Sequence, residues 1–402
     1  MATVNKVMLR RIRDFTSLCH PLKHCGNLNI VRCLSASSST FKYDDLEIEL
    51  SKTLRPKPDP NSLVFGKEFS DHMLEVEWHR DSGWGKPRIT PLHNLSLHPG
   101  AKALHYAVEL FEGMKAFRGV DGKIRLFRPE ENMKRMNNSA TRCCLPNFDG
   151  LELLKCIKKL IRVEKDWVPH STSSSLYIRP TFIGTEPTLG VTVSNQALLY
   201  VLVGPVGPYY PTGMKPVTLL ADPTYVRAWP GGAGASKLGS NYGPTISIQN
   251  MAAQHGCQQV LWLFGEEQNL TEVGTMNIFV YLVNEQGEKE LVTPALKDNL
   301  ILPGVTRKSL LELAYAWGQF KVSERRINMG ELTKALAEKR VLEIFGAGTA
   351  CVVCPVEKIL YQGEFLQVPT MEQEDSLNGK FFQVLTDMQY GRQPSDWMVD
   401  VD

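Results

Sequence analysis

The sequence predicts a two-domain protein of mixed α/β and α+β character, on three observations. The chain has 402 residues, more than one hydrophobic core usually fills. Strand-like and helix-like patterns follow one another in both halves. Between the halves, Gly204 to Gly213 (Gly-Pro-Val-Gly-Pro-Tyr-Tyr-Pro-Thr-Gly) is dense in turn residues and reads as an interdomain linker. The expected organisation is a leader over 1–40, a small N-terminal α+β domain over 41–206, a linker over 207–215 and a larger C-terminal domain over 216–402.

In chain order, the leader comes first. Lys6, Arg10, Arg11, Arg13, Lys23 and Arg32 lie among Ser and Thr, with Asp14 the only acid before Asp44. Val4, Val7, Met8 and Ile12 recur at helical spacing, so the segment has the basic, Ser-rich, amphipathic character of a mitochondrial transit peptide, removed between Cys33 and Phe41. A disordered cytosolic extension is the alternative. His72 to Trp78 alternates as a half-buried strand, Ala101 to Leu110 reads as a helix and Lys123 to Phe127 as a strand. Glu130 to Cys143 and Leu151 to Lys165 are helical; in the second, Leu153, Ile157, Leu160 and Ile161 share one face. Ser174 to Gly184 and Ala197 to Val206 complete the first domain as strands. Beyond the linker, strands are expected near Val217 to Ala221, Val260 to Phe264, Ile278 to Val283 and Val341 to Phe345. Helices are expected near Pro244 to Gln254, Thr306 to Tyr315, Met329 to Lys339 and Ser376 to Met388.

Composition narrows the partners. The 45 basic and 43 acidic residues nearly cancel and form no long like-charge run, so neither a nucleic-acid track nor an acidic-substrate funnel is expected. No apolar stretch reaches the roughly 20 residues of a membrane span; Gly204 and Pro205 interrupt the longest. Small molecules and a second copy of the chain are the expected partners, and no metal is expected. The nine cysteines show no secreted disulfide framework.

Four separated segments suit one phosphorylated aromatic cofactor. In Trp229 to Gly243, five glycines surround Lys237, with Asn241 and Tyr242 just after. Backbone there can approach a ligand closely, and a lysine can form a Schiff base, although alone a lysine in such a loop is more often solvated or phosphate-binding. The segment Thr271-Glu272-Val-Gly-Thr275-Met-Asn277 enters a strand; its carboxylate can keep a pyridine nitrogen protonated, or be an ordinary surface Glu. Leu302-Pro303-Gly304-Val305-Thr306-Arg307 opens a helix and Gly346-Ala-Gly348-Thr349-Ala350 follows a strand. Either can offer backbone N–H groups to a phosphate, or be a plain turn and cap.

Taken together, Glu272-x-Gly274-x-x-Asn277-Ile278-Phe279, Leu291-x-Thr293 and Leu302-x-Gly304-Val305-x-Arg307 resemble, in order and spacing, the signature of the class IV (fold type IV) pyridoxal-phosphate aminotransferases. Lys237 to Gly243, Leu110 to Phe117 and the segment near Trp167 extend the resemblance, which from about Tyr43 onward is to the vertebrate mitochondrial branched-chain group. It implies a two-domain D-amino acid aminotransferase-like fold with the active site between the domains, the larger one binding pyridoxal 5′-phosphate. The implied activity is reversible ping-pong transfer of the amino group of L-leucine, L-isoleucine or L-valine to 2-oxoglutarate, by a homodimer in the mitochondrial matrix.

The same resemblance implies residue roles. Lys237 is the Schiff-base lysine and proton shuttle, Glu272 the partner of the pyridine nitrogen and Tyr242 of the ring's phenolic oxygen. The cofactor and its phosphate would be held by Arg135, Thr275, Leu302, Gly304, Val305, Thr306, Gly348 and Thr349. The substrate carboxylate would lie near Thr275 and Ala350, beside Tyr106. Phe65, Phe111, Tyr177, Arg179 and Tyr209 would form the side-chain pocket, with Leu189 and Val191 closing the partner's pocket across a dimer interface. Independently of the resemblance, Tyr177 and Arg179 are two apart on an expected strand and so share a face. Ser240 departs from the family's usual glycine, with a cost expected if φ there is positive.

Cys351-Val-Val-Cys354 reads from its residues alone as two buried strand cysteines, whose pairing would need a turn. The resemblance adds a redox role for Cys351 and Cys354. The rival readings are a D-amino acid aminotransferase or aminodeoxychorismate lyase of the same fold, and a catalytically silent redox-sensing scaffold. Intact Lys237, Tyr242 and Glu272 weigh against the scaffold.

Overall fold

One strand shows how the sequence builds the first half. In Ser175–Gly184, Leu176, Ile178, Pro180 and Phe182 are buried, whereas Tyr177, Arg179 and Thr181 are half-buried, so one face is core and the other looks into a cleft. This strand sits in a sheet ordered Glu47–Ile48, Arg88–Pro91, His72–His79, Gln196–Val206, Ser175–Gly184, Met114–Arg118, Ile124–Phe127 and Met398–Asp400. The helices Pro129–Arg142 and Gly150–Val163 cover its core face, where Met133, Met136, Leu153, Ile157, Leu160 and Ile161 meet Leu74, Leu176, Ile178, Phe182 and Leu199. The Asp149 carboxylate starts the second helix by accepting from the Leu151 N–H at 2.8 Å.

The structure is a computed structural model that describes residues 40–207 and 215–402. The leader through residue 39, with Cys19, Cys25 and Cys33, lies outside the described residues. So do positions 208–214 of the expected linker, Tyr209 among them.

The second sheet runs Asn269–Val273, Gln259–Phe264, Val217–Ala221, Val352–Tyr361, Val341–Gly348, Met276–Val283, Lys289–Thr293 and Lys321–Glu324. Both of its faces are covered. Ile278, Val280 and Leu282 pack with Met329, Leu332 and Ala335 on one side; Phe279 and Tyr281 pack with Leu310, Leu311, Phe381 and Leu385 on the other. Burial on two faces explains why Met276–Val283 reads as a continuous apolar run rather than an alternation.

Two expectations change. The helix expected over Ala101 to Leu110 is short, Lys102–Tyr106, because Ala107 turns left-handed at φ 48° and Glu109–Phe111 becomes a strand. Pairing with Ser175–Gly184 satisfies the backbone of those three residues, and strand pairing overrides helical periodicity there. The last strand, Met398–Asp400, lies at the end of the expected larger domain yet joins the first sheet by pairing with Ile124–Phe127. Val401 is fully buried in the first core. The described residues accordingly pack as one compact unit.

Candidate active site

Lys237 sits where the Gly-rich segment crosses the edge of the first sheet. Leu238 bridges to Leu110, the Lys237 carbonyl accepts from the Phe111 N–H at 3.1 Å, and the Lys237 N–H donates to Ser139 Oγ at 2.9 Å. The approach is tight: a Cβ on Gly239 would lie 1.9 Å from Glu109 Oε1, so a side chain there would displace the Glu109 carboxylate. Ser240 carries no penalty, because it lies in the 3-10 turn Gly239–Asn241 and is not among the positive-φ residues. The half-buried Lys237 amine donates to the Tyr242 hydroxyl at 3.2 Å and stands 4.8 Å from the centre of the Phe111 ring. Burial, followed by repulsion from Arg135 and Arg179, lowers its pKa to about 7 against the pull of Glu112 and Glu272. Burial likewise raises the Tyr242 pKa, and the Glu272 charge adds to the effect.

Glu272 is buried in the strand Asn269–Val273, which turns tightly at Gly274 into Met276–Val283 so that Glu272 pairs with Asn277. Its Oε1 accepts from the Leu302 N–H at 2.7 Å, and its Oε2 lies 3.1 Å from Arg227 Nε. That contact is an ion pair rather than a hydrogen bond, since the Arg227 Nε–H finds no aligned acceptor. Arg227 is anchored instead by Nη2 to the Gly234 and Leu300 carbonyls at 3.0 and 2.9 Å. Burial raises the Glu272 pKa, whereas Arg227 and the Leu302 N–H oppose the rise.

The two anion loops meet. Val305, Thr306, Gly348 and Thr349 line one small cavity together with Lys115 and Asn132. Ser376 and Asn328 cap their helices with side chains. The helix Val305–Trp317 starts at Gly304 without a side-chain cap, which leaves its first N–H groups and dipole for an anion. A Cβ on Gly304 would lie 2.0 Å from Asn277 Oδ1, and Asn277 in turn donates to the Leu302 carbonyl at 2.9 Å. Arg135 adjoins the same helix end. Its Nε and Nη2 donate to the two Glu112 oxygens at 2.7 and 2.8 Å, and its Nη1 donates to the Pro303 carbonyl at 3.1 Å. Three of the five guanidinium N–H bonds are thus used, leaving two for a ligand. Arg307, by contrast, turns away to the Pro294 carbonyl and Glu324.

Of the residues expected to form the substrate pocket, Phe65, Phe111, Tyr177 and Arg179 meet on the cleft face of the first sheet. The Arg179 guanidinium lies 4.7 Å from the Phe111 ring centre and donates from Nη2 to the Tyr177 hydroxyl at 3.0 Å, while its buried Nε has no acceptor. Phe65 meets Tyr177 edge-on at 5.0 Å, and Phe111 meets Tyr242 at 5.0 Å. Thr275 is exposed at the hairpin tip. Tyr106 donates to the Leu189 carbonyl of its own chain, and Leu189 and Val191 are 67% and 82% exposed.

Cys351 and Cys354 are buried. Val352, at φ 64°, puts a turn between them that an extended strand lacks. Burial pushes the Cys351 thiol up to about 12.

Sequence reading assigned no role to Glu112, Arg227 or Lys115. Glu112 and Lys115 fall within the quoted Leu110 to Phe117 motif, which was the available signal. Arg227 had none, because its link to Glu272 spans the fold.

The residues present fit pyridoxal phosphate. An amine, a phenol and a buried carboxylate act electrostatically on one another, and the uncapped start of Val305–Trp317 shares a cavity suited to an anion with Gly348 and Thr349. Comparison agrees. Residues 109–359 match the family model for amino-transferase class IV. The chain is 60% identical to the cytosolic branched-chain-amino-acid aminotransferase of Ovis aries over 363 residues, 90% of this chain and 94% of that one. It is 54% identical to the mitochondrial one of Mus musculus over 402 residues, 100% and 99% of the two chains. Among solved structures, the branched-chain aminotransferase of Thermoproteus uzoniensis with norvaline matches with a TM-score of 0.66 at 22% identity, covering 82% of this chain and 100% of that one. The branched-chain amino acid aminotransferase of Thermobaculum terrenum in its PLP-form matches at 0.66 and 18%, covering 84% and 100%. The chain has the fold type IV architecture and belongs to the class IV aminotransferases, pyridoxal-phosphate enzymes, among their branched-chain members.

Proposed function

We propose that this chain is a branched-chain-amino-acid transaminase that moves the amino group of L-leucine, L-isoleucine or L-valine reversibly to 2-oxoglutarate, giving L-glutamate. The observation that carries this reading is the grouping of Lys237, Tyr242 and Glu272 beside an aromatic pocket holding one arginine. Bound there, pyridoxal phosphate supplies an aldehyde for the substrate's amino group and a ring that takes up the electrons left by the departing α-proton. Lys237, with its lowered pKa, has a neutral fraction near pH 7 and serves as the base that takes the α-proton and returns it on the other side. Glu272, whose charged form Arg227 and the Leu302 N–H favour against burial, holds a proton on the ring nitrogen. Tyr242 orients the Lys237 amine through its hydroxyl.

Arg135, the Val305 and Thr306 N–H groups, and the hydroxyls of Thr306 and Thr349 hold the phosphate against Leu302, Gly304 and Gly348. Thr275 and Ala350 hold the substrate carboxylate. Phe65, Phe111, Tyr177 and Tyr209 enclose the branched side chain, while Arg179 with Tyr106 receives the distal carboxylate of glutamate. One methylene changes binding in such a pocket by about 1–3 kcal/mol, so the three branched substrates are handled together.

Three further readings complete the proposal. The chain works as a homodimer, supported by the exposed apolar pair Leu189 and Val191 beside the pocket residue Tyr106. It works in the mitochondrial matrix, supported by the basic leader and by alignment of the Mus musculus mitochondrial relative along 100% of the chain. Cys351 and Cys354 act as a redox pair, supported by the turn at Val352.

The test is the absorption spectrum of the chain lacking the first forty residues, loaded with pyridoxal phosphate, before and after L-leucine or D-leucine. A visible band lost only with L-leucine, followed by glutamate formation on adding 2-oxoglutarate, is expected. A response confined to D-leucine would move the assignment to D-amino acid aminotransferase.

A further inference from the structure

Among the described residues, two lysines outside the reaction chemistry are buried, and they differ in their partners. Lys102 is fully enclosed and fully matched: its ammonium reaches the Thr192 and Val193 carbonyls, the Thr192 hydroxyl and the Glu186 carboxylate, the last at 2.8 Å. Lys115, only 8% exposed, donates to one neutral acceptor, the Ala350 carbonyl at 2.7 Å. The ionisable neighbour acting on it is the Cys351 thiol, which burial keeps neutral by pushing it up to about 12. Burial of Lys115 itself lowers its pKa to about 8. A buried cation without a counter-charge is costly unless an anion arrives.

Where Lys115 stands indicates which anion that is. It faces Tyr177 in the sheet register, so its side chain leaves the sheet on the cleft face used by Tyr177 and Arg179. It lines, with Ala350 and Cys351, a cavity beside the Thr349–Ala350 loop, and it also borders the small cavity of Val305, Thr306, Gly348 and Thr349. The group it grips is the carbonyl of Ala350, at the carboxylate end of the loop. Because a trans peptide is planar, fixing that oxygen also fixes the direction of the Cys351 N–H.

We propose that Lys115 is the positioning residue of the Thr349–Ala350 loop and the counter-charge for the substrate's α-carboxylate. This rests on the transaminase reading above and adds to it a residue that sets affinity for carboxylates in both half-reactions.

The test compares holoenzyme of the wild type, Lys115→Met and Lys115→Arg. It uses 4-methylvalerate, a carboxylate without an amino group, titrated by its perturbation of the visible band, alongside steady-state kinetics. In Lys115→Met the Kd of 4-methylvalerate rises at least about tenfold, the loss of one charge-assisted contact. KM for L-leucine and for 2-oxoglutarate rises with it, kcat changes much less, and Lys115→Arg recovers most of the binding. Unchanged 4-methylvalerate binding in Lys115→Met, or a fall in kcat with KM unmoved, overturns the inference. If Lys115→Met does not fold, Lys115→Gln takes its place, keeping a donor for the Ala350 carbonyl without the charge; wild-type affinity in it is equally fatal. Absence of a visible band and of turnover in the wild type defeats the transaminase reading and this inference together. A competent wild type with an unaffected variant defeats this inference alone.

Discussion

At the scale of single residues, the proposed chemistry rests on two titratable groups, half-buried Lys237 and buried Glu272, moved in useful directions. Lys237 is an ordinary lysine until burial and two arginines lower its pKa to about 7. In cofactor-free protein its amine is therefore largely protonated below that value and free above it. Covalent capture of pyridoxal phosphate is expected to accelerate as pH rises through about 7 rather than near 10, which stopped-flow absorbance from pH 6 to 9 checks. Glu272 is balanced the other way: burial raises its pKa and Arg227 holds it down. Arg227→Met removes the opposing charge, so Glu272 takes up a proton at a higher pH. We expect kcat to drop about tenfold or more at neutral pH, with the acid limb of the kcat profile displaced upward. A profile superimposable on wild type would remove Arg227 from the mechanism.

At the scale of elements, the helix Val305–Trp317 and the hairpin around Gly274 act as one device. Gly304 leaves the helix start uncapped and lies against Asn277, whose amide ties the hairpin to the Leu302 carbonyl. Gly304→Ala places a methyl 2.0 Å from Asn277 Oδ1 in the unrelaxed backbone. The Asn277 amide or the helix start must then shift, and we expect cofactor affinity to weaken by about tenfold in a fluorescence titration while the melting temperature moves little. The helix Gly150–Val163 makes the contrasting case, since its Asp149 cap lies in the layer behind the first sheet. Asp149→Ala should lower unfolding free energy by about 1 kcal/mol in urea and leave KM and kcat alone. The four loops were legible in the sequence because their glycines and anion-binding residues are local in the chain. The short helix Lys102–Tyr106 was not, because partners 70 to 74 residues away convert Glu109–Phe111 to a strand.

At the scale of the whole molecule, the last strand fastens to the sheet of the first half. Met398–Asp400 pairs with Ile124–Phe127, the Val401 carbonyl accepts from Arg162 Nε at 2.8 Å, and the Val401 side chain is fully buried among N-terminal residues. Deleting residues 397–402 strips an edge strand and a buried valine, worth about 1.5–3 kcal/mol for the side chain alone. The truncated protein should melt several degrees lower by calorimetry; an unchanged midpoint would show that the strand contributes nothing to stability. Site formation follows the same logic, with Lys237 and Glu272 entering from the second half and Phe111, Arg135, Tyr177 and Arg179 from the first.

The sequence by itself determined the class of chemistry: a lysine among glycines, a carboxylate before a strand and two backbone loops for an anion are short-range patterns. It also determined most elements, because periodicity in Ser175–Gly184 or Gly150–Val163 reports which face is buried. Only the tertiary structure decided which charges meet. The Glu112–Arg135 clamp joins residues 23 apart, the Arg227–Glu272 pair residues 45 apart, and the Lys115–Ala350 bond residues 235 apart. Burial sets the pKa values of Lys237, Glu272 and Lys115, and burial comes from packing two sheets together rather than from any local run of residues.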